Sequence, residues 1–433
     1  MRYPLIGCAG MKIRAGDGCE ELGHPEMLST TVFYNAYPGD KLILSDENYK
    51  YNIATYRPEI DPRWIYTYIY APDQCWAAYN HDLSGDTYRQ SEYTFTKNLY
   101  FRICLRKMNG EAFDGTEDIN EIITFETHSA PEISKRWIED EVRRVSDRVE
   151  ASRTEGDIVF VLLADTHYNV NGTWSDTQEA IKLLNKNISL NGIIHLGDLT
   201  DGMVTGEATR YYVNKVLADL KCTGTPVWVV IGNHDTNYFR RNPDRYTSQQ
   251  QRELYLDGRD IRYFIDFPKL RLVFLDSFNV NEEQRYGYSP ECIKWLEQTL
   301  KDIPDNNKAL ILSHLPPVTR LQYWAKALRG EVEVSDVLQR NSHKILAWIN
   351  GHNHADRLDN DKGFPIVSIV NAKCEAFSEY KTEGFITPDR KLGETSQEAF
   401  DLMIVNPLKE EIRLIRFGAG RNRTIINGKA AWE

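Results

Sequence analysis

From residue 157 onward the chain repeats one device: a short apolar run stops, and Asp, Asn, His or Gly follows at once. The run 158–163 leads into Asp165-Thr166-His167. The run 193–196 leads into Gly197-Asp198-Leu199-Thr200-Asp201, and 227–231 into Gly232-Asn233-His234-Asp235. The run 309–312 leads into Ser313-His314, and 345–349 into Gly351-His352-Asn353-His354. A further apolar run covers 270–275. Helical patterns lie between the runs: one that Asp176 is expected to cap, with Ile181, Leu184 and Ile188, one with Tyr212, Val216 and Leu220, and one from Pro290 through Ile293, Leu296 and Leu300. Alternating strand and helix predicts an α/β sheet domain. In open α/β sheets ligands gather outside the carboxyl ends of the strands. Five strand ends bearing Asp, Asn and His therefore predict one shared site, and such donors suit Mn, Fe, Zn or Ni rather than a thiolate-loving metal. Runs at 400–405 and 411–417 add two adjacent strands joined by an Asn-Pro turn.

Spacing refines the expectation. One residue separates Asp165 from His167, and His352 from His354, so extended backbone would point both members of each pair to one side. The glycines before Asp198, Asn233 and His352 are expected to let the chain turn sharply as it leaves each strand.

Residues 1–128 read differently. Between positions 31 and 101 lie 17 of the chain's 49 aromatic residues. Strand-like runs at 31–34, 41–45, 64–70 and 99–105 are divided by Pro38-Gly39-Asp40, Ser84-Gly85-Asp86 and Asn109-Gly110 turns. This predicts a smaller all-β sandwich domain. Its aromatics are expected mainly as strand core, with a carbohydrate-stacking surface as the alternative. Residues 129–156 predict a linking helix and hinge: Ser129-Ala130-Pro131-Glu132 starts it, Ile138, Val142, Val145 and Val149 form its apolar stripe, and 152–156 end it. The α/β domain then spans 157–433.

Composition narrows the partners. The net charge is −11, which argues against general nucleic-acid binding. No apolar run is long enough for a transmembrane helix. Leu5-Ile6-Gly7-Cys8 has the look of a lipid-attachment box, yet no apolar leader of the needed length precedes it. The seven cysteines are scattered and form no C-x-x-C pair, as in reduced, cytoplasmic-type proteins.

The strand-end motifs D-x-H, G-D-x-x-D, G-N-H-D, H and G-H-x-H, taken in order, resemble the calcineurin-like metallophosphoesterase family over about 157–418. The resemblance implies a four-layer α/β/β/α sandwich and a binuclear metal centre. It implies that Asp165, His167 and His354 hold one divalent ion, that Asn233, His314 and His352 hold the other, and that Asp198 bridges them. A hydroxide bridging the ions would attack phosphorus, so the implied activity is hydrolysis of phosphomonoesters or phosphodiesters. His234 would be the catalytic histidine facing the leaving group, with Asp201 orienting it. Negative charge from Asp201 and Asp235 is expected to favour its charged form. Leu199, Thr200 and Asp201 stand where purple acid phosphatases carry a metal-binding Tyr, so an Fe(III)–tyrosinate centre is not implied. His195, inside a strand, reads as a packed core histidine.

Substrate contacts are expected from Tyr168, Tyr238, Arg240, Arg241 and Arg320, which follow the motifs in sequence; an Arg there could take a phosphate oxygen bidentately. Tyr37–Leu42 and Leu99–Arg106 give the β-unit a loose similarity to sandwich modules ahead of hydrolases in Gram-positive bacteria and in prophage tail regions. Three alternatives stay open: a nuclease, a cyclic-nucleotide phosphodiesterase, or a weakly catalytic scaffold in a glycan-binding, phage-tail or surface protein.

Overall fold

The computed structural model describes residues 2–3, 5, 7–13, 20–30, 34–56, 79–80, 91–128, 136–168, 173–202, 206–238, 242, 244–324, 327–373, 384–391 and 394–433. The chain divides into two compact units, Met1–Ser134 with Asn169–Gly172, and Lys135–Tyr168 with Thr173–Glu433.

The first unit is strand-rich. One antiparallel sheet has the order Arg2–Tyr3, Ile123–Glu126, Lys41–Leu44, Glu92–Thr94. The other runs Gly7–Ala9, Leu28–Thr30, Leu99–Lys107, Tyr49–Tyr56, Tyr79–Asn80, with Tyr34–Ala36 also on Leu99–Lys107. Leu42, Ile123 and Phe125 from the first sheet share one core with Tyr51, Ile53, Phe101 and Ile103 from the second. Rings dominate that core: Phe95 and Phe101 are 4.7 Å apart, Phe101 and Phe125 4.9 Å. The described aromatics are thus largely strand core, each burying much apolar area at low entropic cost. Asp40 anchors the Pro38-Gly39-Asp40 turn by accepting from the Tyr37 and His128 N–H groups and from Thr127 Oγ1. The predicted strand 64–70 and helix start 129–132 lie outside the described residues.

The second unit has two sheets. The first contains Val227–Val229, Gly192–His195, Ile158–Leu163, Ala399–Asn406, Glu411–Gly418, Arg423–Ile426 and Lys429–Trp432, in that order. The second contains Tyr263–Phe267, Leu270–Leu275, Lys308–Ser313, Ile345–Asn350, Ile366–Ser368 and Arg357–Asp359. Ile158–Leu163 and Ile345–Asn350 are buried at every position, as strands covered on both faces must be. Between the sheets the Phe160 ring meets Phe267 edge-on at 5.4 Å. Helices Pro290–Lys301 and Glu331–Arg340 cover the outer face of the second sheet through Cys292, Leu296, Leu300, Val334, Val337 and Leu338. Helix Arg136–Ser152 attaches to the first sheet: Glu141 accepts from the Gly418 N–H, and Arg144 donates to the Arg416 carbonyl. Its Ile138, Val142, Val145 and Val149 are all buried. The result is the four-layer α/β/β/α arrangement.

Two local expectations change. Thr173, not Asp176, occupies the cap position of helix Trp174–Asn187, and Asp176 sits in its first turn, where it complements the helix dipole. The helices Ser248–Tyr255, with a Thr247/Gln250 capping box, and Glu331–Arg340 were not anticipated. No helix among the described residues is long and apolar enough to cross a membrane.

Candidate metal centre

The parallel strands deliver their ends to one place. Where regular pairing of Ile158–Leu163 with its neighbour stops, three more backbone bonds continue it: Asp165 N–H to Gly197 O at 3.0 Å, His167 N–H to Asp198 O at 3.0 Å, and Tyr168 N–H to Leu199 O at 2.7 Å. The first two motifs are therefore held in fixed register.

Side chains converge in three overlapping groups. Asp165, His167 and His354 form one, His167, Asp198 and His234 a second, and Asp198, His314 and His352 a third; each set of donor atoms lies within 4.8 Å. His167 Nε2 stands 3.1 Å from His354 Nε2, and His314 Nε2 stands 3.2 Å from His352 Nδ1. Asn233 Oδ1 is 3.0 Å from His314 Nε2. Asp198 belongs to the second and the third: its Oδ2 is 3.1 Å from His314 Nε2 and 3.7 Å from His167 Nε2. Paired ring nitrogens and carboxylate oxygens turned toward common points form a donor set that fits two divalent cations of the Mn, Fe, Zn or Ni type.

Three of the candidate ligands are braced from behind. The Asp165 carboxylate accepts from the His352 N–H at 2.9 Å, and Asp198 Oδ1 accepts from the His234 N–H at 2.8 Å. His314 Nδ1 donates to the Leu196 carbonyl at 2.8 Å, which turns Nε2 toward the centre. Asp235 accepts from the Gly232, Asp198 and Leu199 N–H groups, tying the second motif to the third.

The backbone differs from an extended reading. Asp165, His167, Asp198, His352 and His354 all have positive φ, between 41° and 69°. Their side chains converge because the chain coils in the left-handed region, and not through strand alternation. The glycines also divide in role. Gly197 has φ 97° and does turn. Gly232 and Gly351 are not in that region; a Cβ at Gly351 would meet Asp165 Oδ2 at 2.6 Å, and one at Gly232 would run into Asp198 Oδ1. Those two make room for the carboxylates.

The electrostatics follow from burial among charges. Burial works against the Asp198 carboxylate, but the His314 and His234 rings hold it well below the usual range. Asp165 is likewise held low against burial by His354 and His314. Burial opposes the charged form of His314, yet Asp198 and Asp165 lift it to about 9. His352 is pushed well down by burial and by the neighbouring His314.

His234 departs from its expected state. Burial lowers it to about 4, outweighing the pull of Asp198. Asp235 does not face its ring but spends its carboxylate on backbone N–H groups, and burial beside Asp198 lifts Asp235 to about 7. Asp201 reaches His234 through its backbone carbonyl, 2.6 Å from Nδ1. Its carboxylate Oδ1 lies instead 3.1 Å from His167 Nδ1. His195 is wholly buried: Nδ1 accepts from the Gly197 N–H, so Nε2 donates to Thr166 Oγ1 at 2.7 Å, and burial drops its pKa to about 3.

The expected substrate contacts scatter. Tyr238 comes to the centre, its side chain hydrogen-bonded to Asn233 and its hydroxyl 2.9 Å from that of Tyr286, whose ring lies 5.6 Å from His352. Tyr168 is buried, its ring edge-on to Tyr212. Arg320 is engaged by Asp359, at 2.9 Å, and by Asp361, at 3.2 Å, which takes its guanidinium out of contention for phosphate in this arrangement. Arg240 and Arg241 lie outside the described residues. Lys373, not anticipated, is buried with Nζ 3.5 Å from Asp201 Oδ1. Its position just past a buried strand end, in Asn371-Ala372-Lys373, was the available signal.

Residues 158–356 match the model of the calcineurin-like phosphoesterases. The manganese-dependent ADP-ribose/CDP-alcohol diphosphatase of Arabidopsis thaliana is 21% identical over 221 residues, covering 41% of this chain and 69% of that protein. The DNA double-strand break repair protein Mre11 of Sulfurisphaera tokodaii is 25% identical over 283 residues, covering 59% of this chain and 67% of that protein. Among solved structures, a dimetal phosphatase from Danio rerio aligns with TM-score 0.47 and 18% identity, over 62% of this chain and 98% of that one. GAP50 of Plasmodium aligns with TM-score 0.41 and 13% identity, over 64% and 89%.

Proposed function

Residues 158–356 form a calcineurin-like phosphoesterase domain, and on that premise we propose that the chain hydrolyses phosphomonoesters or phosphodiesters with two divalent cations. One observation carries the reading: Asp198 Oδ2 lies 3.7 Å from His167 Nε2 and 3.1 Å from His314 Nε2, one nitrogen from each proposed cation site. Asp165, His167 and His354 would hold one cation; Asn233, His314 and His352 the other; Asp198 would serve both. Two such ions would supply Lewis acidity and a water acidic enough to act as a nucleophile near neutral pH.

The protein's own groups do the rest. The Asp201 carbonyl fixes the His234 ring through Nδ1–H, leaving Nε2 for the substrate. Burial keeps that ring neutral while the site is empty of anion. A phosphate ester beside it favours the imidazolium, so His234 gains its proton as substrate arrives and can hand it to the departing oxygen. Tyr238, next to Asn233, is the described residue best placed for a further phosphoryl contact. Tyr168 braces the first motif from its backbone.

The test is a screen of the full chain with Mn(II) against aryl phosphomonoesters, phosphodiesters, cyclic phosphates and diphosphate esters. His234→Ala is expected to lose about 10²–10⁴-fold in kcat, and Asp198→Asn to lose turnover together with bound metal. Absence of turnover on every ester with every divalent metal tried would remove the hydrolase reading and leave a scaffold. Activity confined to polynucleotides would instead assign a nuclease.

A further inference from the structure

Lysine is among the residues least often buried without a partner, yet the Lys373 side chain is 4% exposed. Its backbone runs beside the end of the first strand: Ala372 N–H donates to Ala164 O at 2.8 Å, and Lys373 N–H to Asp165 O at 3.3 Å. Nζ lies 3.5 Å from Asp201 Oδ1, itself buried. The same oxygen stands 3.1 Å from His167 Nδ1. The other nitrogen of that ring, Nε2, faces Asp165, Asp198 and His354 at 3.9, 3.7 and 3.1 Å.

These distances describe a chain from ammonium to carboxylate to imidazole to the candidate cation. A neutral imidazole that ligates through Nε2 carries its proton on Nδ1, and that N–H needs a fixed acceptor. A carboxylate in a buried position needs a compensating charge to stay there. A buried ion pair contributes little net stability over an apolar substitute, so stability alone does not account for placing one here. The geometry assigns to Lys373 a positioning role: through Asp201 it orients His167 as a ligand of the cation held with Asp165 and His354. The inference rests on the two-cation reading, and it differs from the sequence expectation, in which Asp201 served His234.

The experiment is Mn(II) titration by calorimetry, with bound metal counted, on the full chain stripped of metal. The wild type should bind two ions. Lys373→Met should weaken one site by about 10–100-fold and leave the other within about twofold. Lys373→Arg, which keeps the charge, should restore much of that loss. Asp201→Asn should produce the same one-site loss, and Lys373→Met added to it should do nothing more. If Lys373→Met leaves both affinities unchanged, or if its loss simply adds to that of Asp201→Asn, the role is overturned. Should Lys373→Met fail to fold, Asp201→Asn decides alone: unchanged Mn(II) affinity overturns the chain at its middle link. A wild type that binds no Mn(II) overturns the two-cation reading itself, a result separate from either of these.

Discussion

The candidate ligands sit on unusual backbone. Five of the ten non-glycine residues with positive φ among those described are Asp165, His167, Asp198, His352 and His354. Each such residue costs on the order of 1–2 kcal/mol relative to ordinary backbone. The strain persists because neighbours over-determine it, through bonds such as Asp165 N–H to Gly197 O and His352 N–H to the Asp165 carboxylate. The residue types of the D-x-H and H-x-H pairs were legible in the sequence. Their φ angles were not, because a left-handed Asp or His has no local signature comparable to glycine's. The glycines give a direct check. In Gly351→Ala the new Cβ would lie 2.6 Å from Asp165 Oδ2 and 2.7 Å from Ala164 Cβ. We expect Mn(II) affinity to fall by at least about tenfold, with far-ultraviolet circular dichroism unchanged. Wild-type affinity would show that Asp165 can move aside without consequence.

Among the elements, legibility followed burial. The fully buried runs at 158–163, 309–312 and 345–349 announced themselves as continuous apolar stretches. Tyr263–Phe267 did not: it is an edge strand with alternating exposure, whose outward Phe264 lies under the Arg271 guanidinium at 3.9 Å. The hairpin Arg423–Ile426 with Lys429–Trp432 was missed although Asn427-Gly428, at φ 52° and 69°, is the dipeptide that favours such turns. Charged residues in the flanking strands hid it. Arg416 and Arg423 are buried, and both donate to Asp401, Arg416 Nε at 2.9 Å and Arg423 Nη2 at 2.6 Å; Arg416 also reaches Asp356 at 2.7 Å. A short strand that opens on an arginine reads as solvent-facing until its partner carboxylate is known, and for Arg423 that is Asp401, on another strand. The cluster spans three adjacent strands and the segment just after the G-H-x-H motif. Asp401→Ala would leave two guanidinium groups buried with one carboxylate between them. The expected loss is about 3–5 kcal/mol in urea unfolding; a change below about 1 kcal/mol would mean that water reaches the cluster.

Across the whole molecule, protonation and metal binding are coupled through the same buried groups. His195 and His234 are held at about 3 and about 4 against an ordinary 6.5. The folded state therefore binds fewer of these protons than the unfolded chain, and their effect is to raise stability as pH climbs toward 6.5. Glu398, receiving bonds from Thr177 and Gln397, is lifted by burial from 4.5 to about 7. It acts in the opposite sense, lowering stability between those values. Asp235, lifted by burial and by Asp198 to about 7, and Asp276, lifted by burial to about 6, act in the same sense as Glu398. His314 extends that loss to higher pH. Its pKa is raised to about 9 by Asp198 and Asp165 against burial, so its stabilisation is complete below 6.5 and is lost as pH rises through about 9. One proton corresponds to about 1.4 kcal/mol per pH unit. Metal-free protein should therefore lose stability from about pH 6.5 to pH 9. A cation that uses His314 must displace its proton, so affinity should rise with pH over the same window. Bound cation adds RT ln(1 + [L]/Kd), about 2.7 kcal/mol at a hundredfold excess over Kd. The two slopes oppose each other above pH 6.5. Melting temperatures taken from pH 6.5 to 9 should fall in chelator and fall less steeply in Mn(II). Coincident pH profiles with and without Mn(II) would mean that His314 keeps its proton when the ion binds, and that the second cation is held by other groups.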